Sequence, residues 1–180
     1  MNKGRKVILY IAQSLDGFIA REDNDISWLS IVEQEGEDYG YGEFIKTIDT
    51  VIMGRKTYEK VLSFGIEFPH NDKKSYVLSK TINGNEGNLQ FYNDSIDSLI
   101  EKLKSEKGKN IFIDGGAEVV KELRSKNLID QYVISIIPIM IGKGVRLFKE
   151  IDTEDRLKLI DCKAFSTGLV QLKYETVKQD

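Results

Sequence analysis

The chain is poor in the side chains that most often carry chemistry. Its 180 residues include one cysteine, Cys162, and one histidine, His70. A lone cysteine has no internal disulfide partner, so a reducing, cytoplasmic compartment is the expectation. With one histidine and one cysteine far apart, there is little material for a zinc site or a Cys–His nucleophile, and no metal is expected. Acid–base work is left to carboxylates, tyrosines, lysines or water. Long apolar runs are also missing. Val7 to Ala12, preceded by Lys3, Arg5 and Lys6, falls short of a secretion-signal core, and a membrane span needs about 20 apolar residues. Neither sign of charge dominates: 26 basic against 29 acidic residues give a net charge of −3. That argues against nucleic acid or an anionic membrane as the main partner and leaves a small-molecule substrate.

What is present is globular. The chain is 41% hydrophobic and 31% charged with only two prolines, and its length suits a single domain over residues 1–180. Val7 to Ile11, Val51 to Met53, Tyr76 to Leu78, Ile111 to Ile113 and Tyr132 to Ile137 are nearly continuous in apolar residues. Strands buried on both faces of a parallel sheet read this way. Between them lie helical stripes: Tyr41, Phe44, Ile45 and Ile48; Ile96, Leu99, Ile100 and Leu103 behind Asp94 or Ser95 as N-cap; and Gly116, Val119, Val120 and Leu123. Near the C-terminus, Val170, Leu172, Tyr174 and Thr176 alternate with polar residues and follow a strand over Leu157 to Lys163, which predicts an antiparallel hairpin. The fold class is α/β: a three-layer domain on a mostly parallel sheet, with an antiparallel C-terminal strand.

In such sheets ligands gather beyond the carboxyl ends of the strands. After the second run come Gly54, Arg55, Lys56 and Thr57, a glycine turn into a helix whose free N–H groups favour an anion. It is not a P-loop, because Asp49 stands where the first glycine belongs. Ser79 and Lys80 follow the third run, a hydroxyl and a cation suited to a ribose phosphate. Gly115, Gly116 and Ala117 follow the fourth and permit close backbone contact with a pyrophosphate or flat ring. Singly, each of these also reads as an ordinary turn or solvated loop. Three anion-suited strand ends in one sheet are harder to assign to chance. The stretch Gly142 to Leu147 is only a fragment of a dinucleotide fingerprint and reads better as a turn leading into buried Leu147 and Phe148.

Taken in order, Ala12 to Ala20, Trp28, Val51 to Glu59, Val77 to Lys80 and Asp114 to Ala117 resemble the dihydrofolate-reductase superfamily. Ser14-Leu-Asp-Gly17, the Gly-Gly-Ala turn and Ile141 to Phe148 resemble more narrowly the C-terminal reductase domain of the bifunctional riboflavin deaminase-reductase, over about residues 6 to 175. The resemblance implies a dihydrofolate-reductase-like fold, a homodimer and an NADPH site. Arg55, Lys56 and Thr57 beside Gly54 would hold the adenosine-side phosphates, and Ser79 and Lys80 the 2′-phosphate. Gly115, Gly116 and Ala117 would run along the pyrophosphate and nicotinamide ribose. Ala12 and Ile19 would pack the nicotinamide, with Asp16 and Gly17 in the mobile loop over it and Asp16 a catalytic candidate there.

The catalytic acid that the resemblance implies falls near Asp38, with Glu35, Glu37 and Glu43 close by and Ser135 placed to hydrogen-bond it. An exposed carboxylate at a helix start would look the same. The implied activity is hydride transfer to 5-amino-6-(5-phosphoribosylamino)uracil or a similar heterocycle. Dihydrofolate reduction and a non-catalytic NADP-binding module are the alternatives. Two features depart from the riboflavin-reductase pattern, and a third tells against a phosphate. Gly54-Arg-Lys-Thr57 replaces Gly-Ala-Gly-Thr, Pro69-His-Asn-Asp72 is no evident substitute for the usual Asp-Pro segment, and Glu118 is unfavourable beside a phosphate.

Overall fold

The apolar runs become strands because their side chains are needed on both faces of one sheet. A computed structural model describes residues 4–177; Lys3 lies outside them. In chain order the elements are β1 (Val7–Ser14), β2 (Phe18–Ala20), a 3₁₀ helix (Ser27–Val32), α1 (Tyr41–Lys46), β3 (Ile48–Gly54), α2 (Arg55–Leu62) and β4 (Lys74–Leu78). There follow β5 (Gly84–Glu86), β6 (Leu89–Tyr92), α3 (Ile96–Ser105), β7 (Asn110–Gly115), α4 (Ala117–Ser125), β8 (Gln131–Ile137), β9 (Val145–Arg146), β10 (Leu157–Ala164) and β11 (Val170–Thr176).

Nine strands form one sheet in the order β10-β11-β8-β1-β7-β3-β4-β6-β5. From β8 to β6 every neighbouring pair is parallel. Only the two ends are antiparallel, where β11 pairs with β8 and β10, and β5 with β6. The mostly parallel sheet with an antiparallel C-terminal strand is therefore the observed architecture.

The two-residue period of the strands sorts the core into two faces. Val7 and Leu9 of β1, Ile52 of β3, and Ile111 and Ile113 of β7 face a cluster closed by Leu99, Ile100 and Leu103 of α3 and Val120 and Leu123 of α4. Their neighbours Ile8, Val51, Met53 and Phe112 face the other way, against Tyr41, Phe44 and Ile45 of α1 and Tyr58 of α2. A sheet between two helical layers follows.

Two local expectations are corrected. The stripe Tyr41 to Ile48 is not one helix: α1 stops at Lys46 and Ile48 opens β3. The carbonyl of Thr47 already accepts from Asn110 N at 3.0 Å, so pairing with the chain entering β7 takes over from helical bonding. Leu147 is fully buried as expected, but Phe148 is 40% exposed, with the Arg124 guanidinium 5.2 Å over its ring. Ser95 rather than Asp94 is the N-cap residue of α3; its hydroxyl shares a 2.7 Å hydrogen bond with Ser98.

The amino edge of the sheet is tied by one buried cation. Arg5 donates to the carbonyls of Lys109 at 2.7 Å and Leu103 at 3.0 Å, to Thr50 Oγ1 at 2.7 Å, and to the Asp49 carboxylate. Gly108 is obligatory beside this knot, since a Cβ there would come within 2.5 Å of Asp49 Oδ2.

Candidate active site

Parallel pairing brings the carboxyl ends of β1, β3, β4, β7 and β8 to one edge, and with them the residues singled out in the sequence. Gly54 ends β3 and is the N-cap of α2, and Gly116 is the N-cap of α4; neither helix has a side-chain cap. The first-turn N–H groups of both helices are therefore open donors at one place. The two turns touch. A Cβ on Gly54 would lie 3.2 Å from Val119 Cγ2 and 3.7 Å from Gly116 N, and one on Gly116 would lie 3.2 Å from Thr57 Oγ1. The Gly115–Gly116 peptide is cis.

Arg55 ties this edge to the turn after β4. Its Nε donates to Glu59 at 2.6 Å and its Nη1 to Thr81 Oγ1 at 3.0 Å. Ser79 is buried and its Oγ accepts from Ile82 N at 3.0 Å, so it shapes the turn that presents exposed Lys80. Lys56 is exposed as well, and among the described residues neither lysine has an ion-pair partner. Glu118, unfavourable in the sequence, is neutralised: Lys149 pairs with it, and this hydrogen bond leads the causes that hold its carboxyl below the usual range.

Asp16 does something the sequence did not show. Ser14 Oγ donates to its Oδ1 at 2.5 Å, while the amides of Ile141 and Gly142 donate to its two oxygens at 3.2 and 2.7 Å. The Ser14 hydroxyl above all, then the Gly142 and Ile141 amides, hold its pKa below the usual aspartate range. Asp16 is thus an ionised staple between the β1–β2 turn and the segment before β9, with no proton to offer near neutral pH. The strap is extended by the β2–β9 pairing and by Leu147 N donating to Gly17 O at 3.0 Å. Ile19 packs half-buried on the α3–α4 side of the core.

Beside this edge, on the α1 side of the sheet, lies a cavity of about 610 Å³. Ala12, Leu29, Ile137 and Leu169 give it apolar walls, and Tyr10, Tyr41 and Ser135 its polar points. Ala12 lines the cavity, while its chain neighbour Ile11 stands under Gly115, whose Cβ would meet Ile11 Cδ1 at 3.3 Å. One strand end thereby joins the glycine turn to the cavity.

Asp38 is on the cavity wall, clamped by the amides of Gly40 at 2.8 Å and Gly42 at 2.9 Å, with the Gly42 bond the leading cause of its lowered pKa. Glu35 and Glu37 line the same wall; Glu43 does not, and pairs with Lys46 at 2.5 Å. Burial above all raises the pKa of both Tyr10 and Tyr41, keeping the two phenols protonated. Ser135 does not hydrogen-bond Asp38. Its partner is Gln171 on β11, the residue facing it in register.

Sequence reasoning missed Glu33, Tyr10 and Gln171. Gln171 lay within the recognised alternation of β11, but only the docking of β11 on β8 brings it to Tyr10 and Ser135, which line the cavity. The segment Pro69 to Asp72 stays apart from the cavity lining: His70 is buried edge-on to the rings of Phe68 and Phe112, its Nε2 3.6 Å from Asp114 Oδ2.

Comparison with known proteins gives the family and the fold. The chain is 44% identical over 171 residues to the uncharacterized protein YwjB of Bacillus subtilis (strain 168), covering 94% of this chain and 97% of that one. A candidate riboflavin biosynthesis protein of Shewanella sp. PV-4 superposes with a TM-score of 0.89 at 29% identity, over 96% of this chain and 99% of that one. The diaminohydroxyphosphoribosylaminopyrimidine deaminase/5-amino-6-(5-phosphoribosylamino)uracil reductase of Thermotoga maritima shares the fold with a TM-score of 0.72 at 16% identity. The match covers 97% of this chain and 57% of that one. The RibD C-terminal domain matches residues 5–171. The chain therefore belongs to the RibD C-terminal domain family, the reductase-like family of riboflavin biosynthesis, and has its dihydrofolate-reductase-like fold.

Proposed function

We propose that this protein is an NADPH-dependent reductase that transfers hydride to 5-amino-6-(5-phosphoribosylamino)uracil or a related nitrogen heterocycle in the cavity. The observation that carries this reading is the meeting of two open helix starts and unpaired cations with a ligand-sized cavity at one sheet edge, joined through Ile11 and Ala12. The donors fit an anionic dinucleotide. The first turns of α2 and α4, with Lys56 and Thr57, suit its bridging phosphates, and Lys80 beside Arg55 suits the 2′-phosphate. Gly115, Gly116 and Ala117 leave room for the backbone to approach it, and Ala12 borders both regions.

Bound there, NADPH supplies the hydride. The rest falls to this chain's own residues. Asp16 keeps the strap closed against the β1–β2 turn. Apolar Ala12, Leu29 and Ile137 hold a flat ring and thin out the water around it. Asp38, ionised and fixed by two amides, offers negative charge to a protonated C=N, which lowers the barrier for hydride to reach its carbon. With Asp16 and Asp38 both ionised, water is the proton source that fits. The same reading extends to a homodimer closed over the edge strand β10, where Leu157, Leu159 and Ile160 are 40–51% exposed.

The test is a titration with NADPH and with NADH, followed through Trp28, the only tryptophan. NADPH is expected to bind about tenfold tighter, with Lys80→Ala erasing most of the difference, since a hydrogen bond to a charged group contributes about 1.5–3 kcal/mol. Binding of neither cofactor would end the reductase reading.

A further inference from the structure

The cavity is charged on one side only. Glu33, Glu35, Glu37 and Asp38 line it, and among the described residues no lysine, arginine or histidine does. Its inner end keeps one donor in reserve. Ser135 is 5% exposed; its Oγ accepts from Gln171 Nε2 and, among the described residues, donates to nothing. The Gln171 amide has Tyr10 Oη and Tyr39 O each at 3.1 Å and Ser135 Oγ at 3.2 Å. An amide nitrogen carries only two hydrogens, which Tyr10 Oη and Ser135 Oγ take while Tyr10 Oη itself donates to Tyr39 O at 3.2 Å, so this relay is closed and the Ser135 O–H is the donor left over. The idle Ser135 hydroxyl answers a ligand carbonyl or ring nitrogen, and the carboxylates of the wall accept from ligand N–H groups.

Resting on the reductase reading and choosing between its two substrates, we infer that the cavity takes the related heterocycle and not the phosphoribosyl compound: a donor-rich, unphosphorylated nitrogen heterocycle, neutral or protonated, is preferred over its phosphoribosyl form. A phosphate ester carries about −1.5 to −2 charge at neutral pH. Within this cavity it meets four carboxylates and no cation to receive it. The carboxylates are exposed, so their repulsion is screened by salt over a Debye length of about 10 Å at 0.1 M and is strongest at low ionic strength. A protonated ring or imine nitrogen is drawn to the same wall. The reaction balances without a phosphate: hydride adds to the carbon of C=N, a proton from water adds to the nitrogen, and two electrons leave the nicotinamide. The glycine turns and Lys80 then serve the cofactor alone, which explains why the cations of this edge sit at α2 and β4 and not on the cavity wall.

The experiment titrates the full chain with 5-amino-6-(ribosylamino)uracil and with its 5′-phosphate by calorimetry, at about 20 mM and about 200 mM salt. It is repeated in E33Q/E35Q, whose side chains make no hydrogen bond among the described residues. At low salt the unphosphorylated compound is expected to bind tenfold or more tightly than the phosphate, with the gap narrowing both at high salt and in the variant. Equal affinity, tighter binding of the phosphate, or binding of neither compound overturns the inference. Trp28 emission with NADPH in the same samples keeps the two readings apart. NADPH binding without discrimination between the two compounds sinks the heterocycle inference alone, whereas loss of NADPH binding sinks the reductase reading.

Discussion

At the amino edge of the sheet, Arg5 is 7% exposed and four of its five N–H donors are taken, by two carbonyls, a threonine hydroxyl and the Asp49 carboxylate. At the carboxyl edge of the same strands, two helix starts lack side-chain caps, Lys56 and Lys80 are exposed with no ion pair among the described residues, and the buried Ser135 hydroxyl donates to none of the described residues. Both edges use charge and glycine. One spends them on itself and the other leaves them open. A buried cation whose bonds go to its own chain holds strands together, whereas unspent donors at strand ends are what a ligand completes. The two edges should therefore separate under mutation: stability should follow the amino edge, and binding the carboxyl edge.

The largest effect expected is from Arg5→Met. Removing Arg5 leaves the Leu103 and Lys109 carbonyls and the Thr50 hydroxyl short of a donor, and an unsatisfied buried acceptor costs about 1–3 kcal/mol. Asp49, 37% exposed, is screened by water and adds less than a fully buried partner would. Urea unfolding should show a lower midpoint at an unchanged slope, because the surface exposed is the same. The folded fraction should still bind NADPH with wild-type affinity. A loss under about 1 kcal/mol, or a weakened cofactor with stability intact, would break the comparison. Acid should act in the same direction. Burial works to raise the pKa of Asp49, but the Lys109 amide, Thr50 and Arg5 outweigh it and leave the pKa below the usual range. Its contribution is complete above the unfolded-state pKa and is lost as pH falls through the lower folded value.

The second test pits glycine against glycine. Gly108→Ala drives a methyl to 2.5 Å from Asp49 Oδ2, whereas Gly115→Ala places one 3.3 Å from Ile11 Cδ1 at a φ of +108°. The first should cost stability and leave the cofactor site alone. The second carries about 1–3 kcal/mol of backbone strain and reshapes the glycine turn, so NADPH affinity should fall about tenfold. Paired denaturation and fluorescence titrations decide between them. Equal losses of binding in both variants would erase the distinction between edges.

Much of this was legible in the sequence because it is written locally. Strands such as Ile111 to Ile113 are buried on both faces and read as unbroken apolar runs, and the glycine turns follow them directly. What was illegible depends on partners far along the chain. The helix stripe was carried to Ile48 because nothing nearby reveals that Asn110 binds Thr47. β2 and β9 are three and two residues long, and their pairing spans more than 120 positions, so neither has a period to read. Gln171 faces Ser135 only because β11 inserts beside β8. Asp16 stood in the expected place, but its part as a staple is set by the amides of Ile141 and Gly142.

That staple gives the smallest expected effect and the most local one. Asp16→Asn keeps the shape of the side chain, but its amide nitrogen cannot accept the amide bond that one carboxylate oxygen accepts from Gly142. Hydrogen exchange at Ile141 and Gly142 should quicken several-fold while the core strands β1 and β7 keep their protection, since exchange reports local opening separately from global unfolding. In the wild-type protein the lowered pKa means the carboxylate stays ionised through the ordinary aspartate range. The two amides should therefore remain protected down to that range and lose protection as pH falls through the folded value. The variant should show no such step. If instead Asp16→Asn lowers the urea midpoint as far as Arg5→Met does, the strap is part of the global core, and the carboxyl edge is not the separable, ligand-facing half of the sheet.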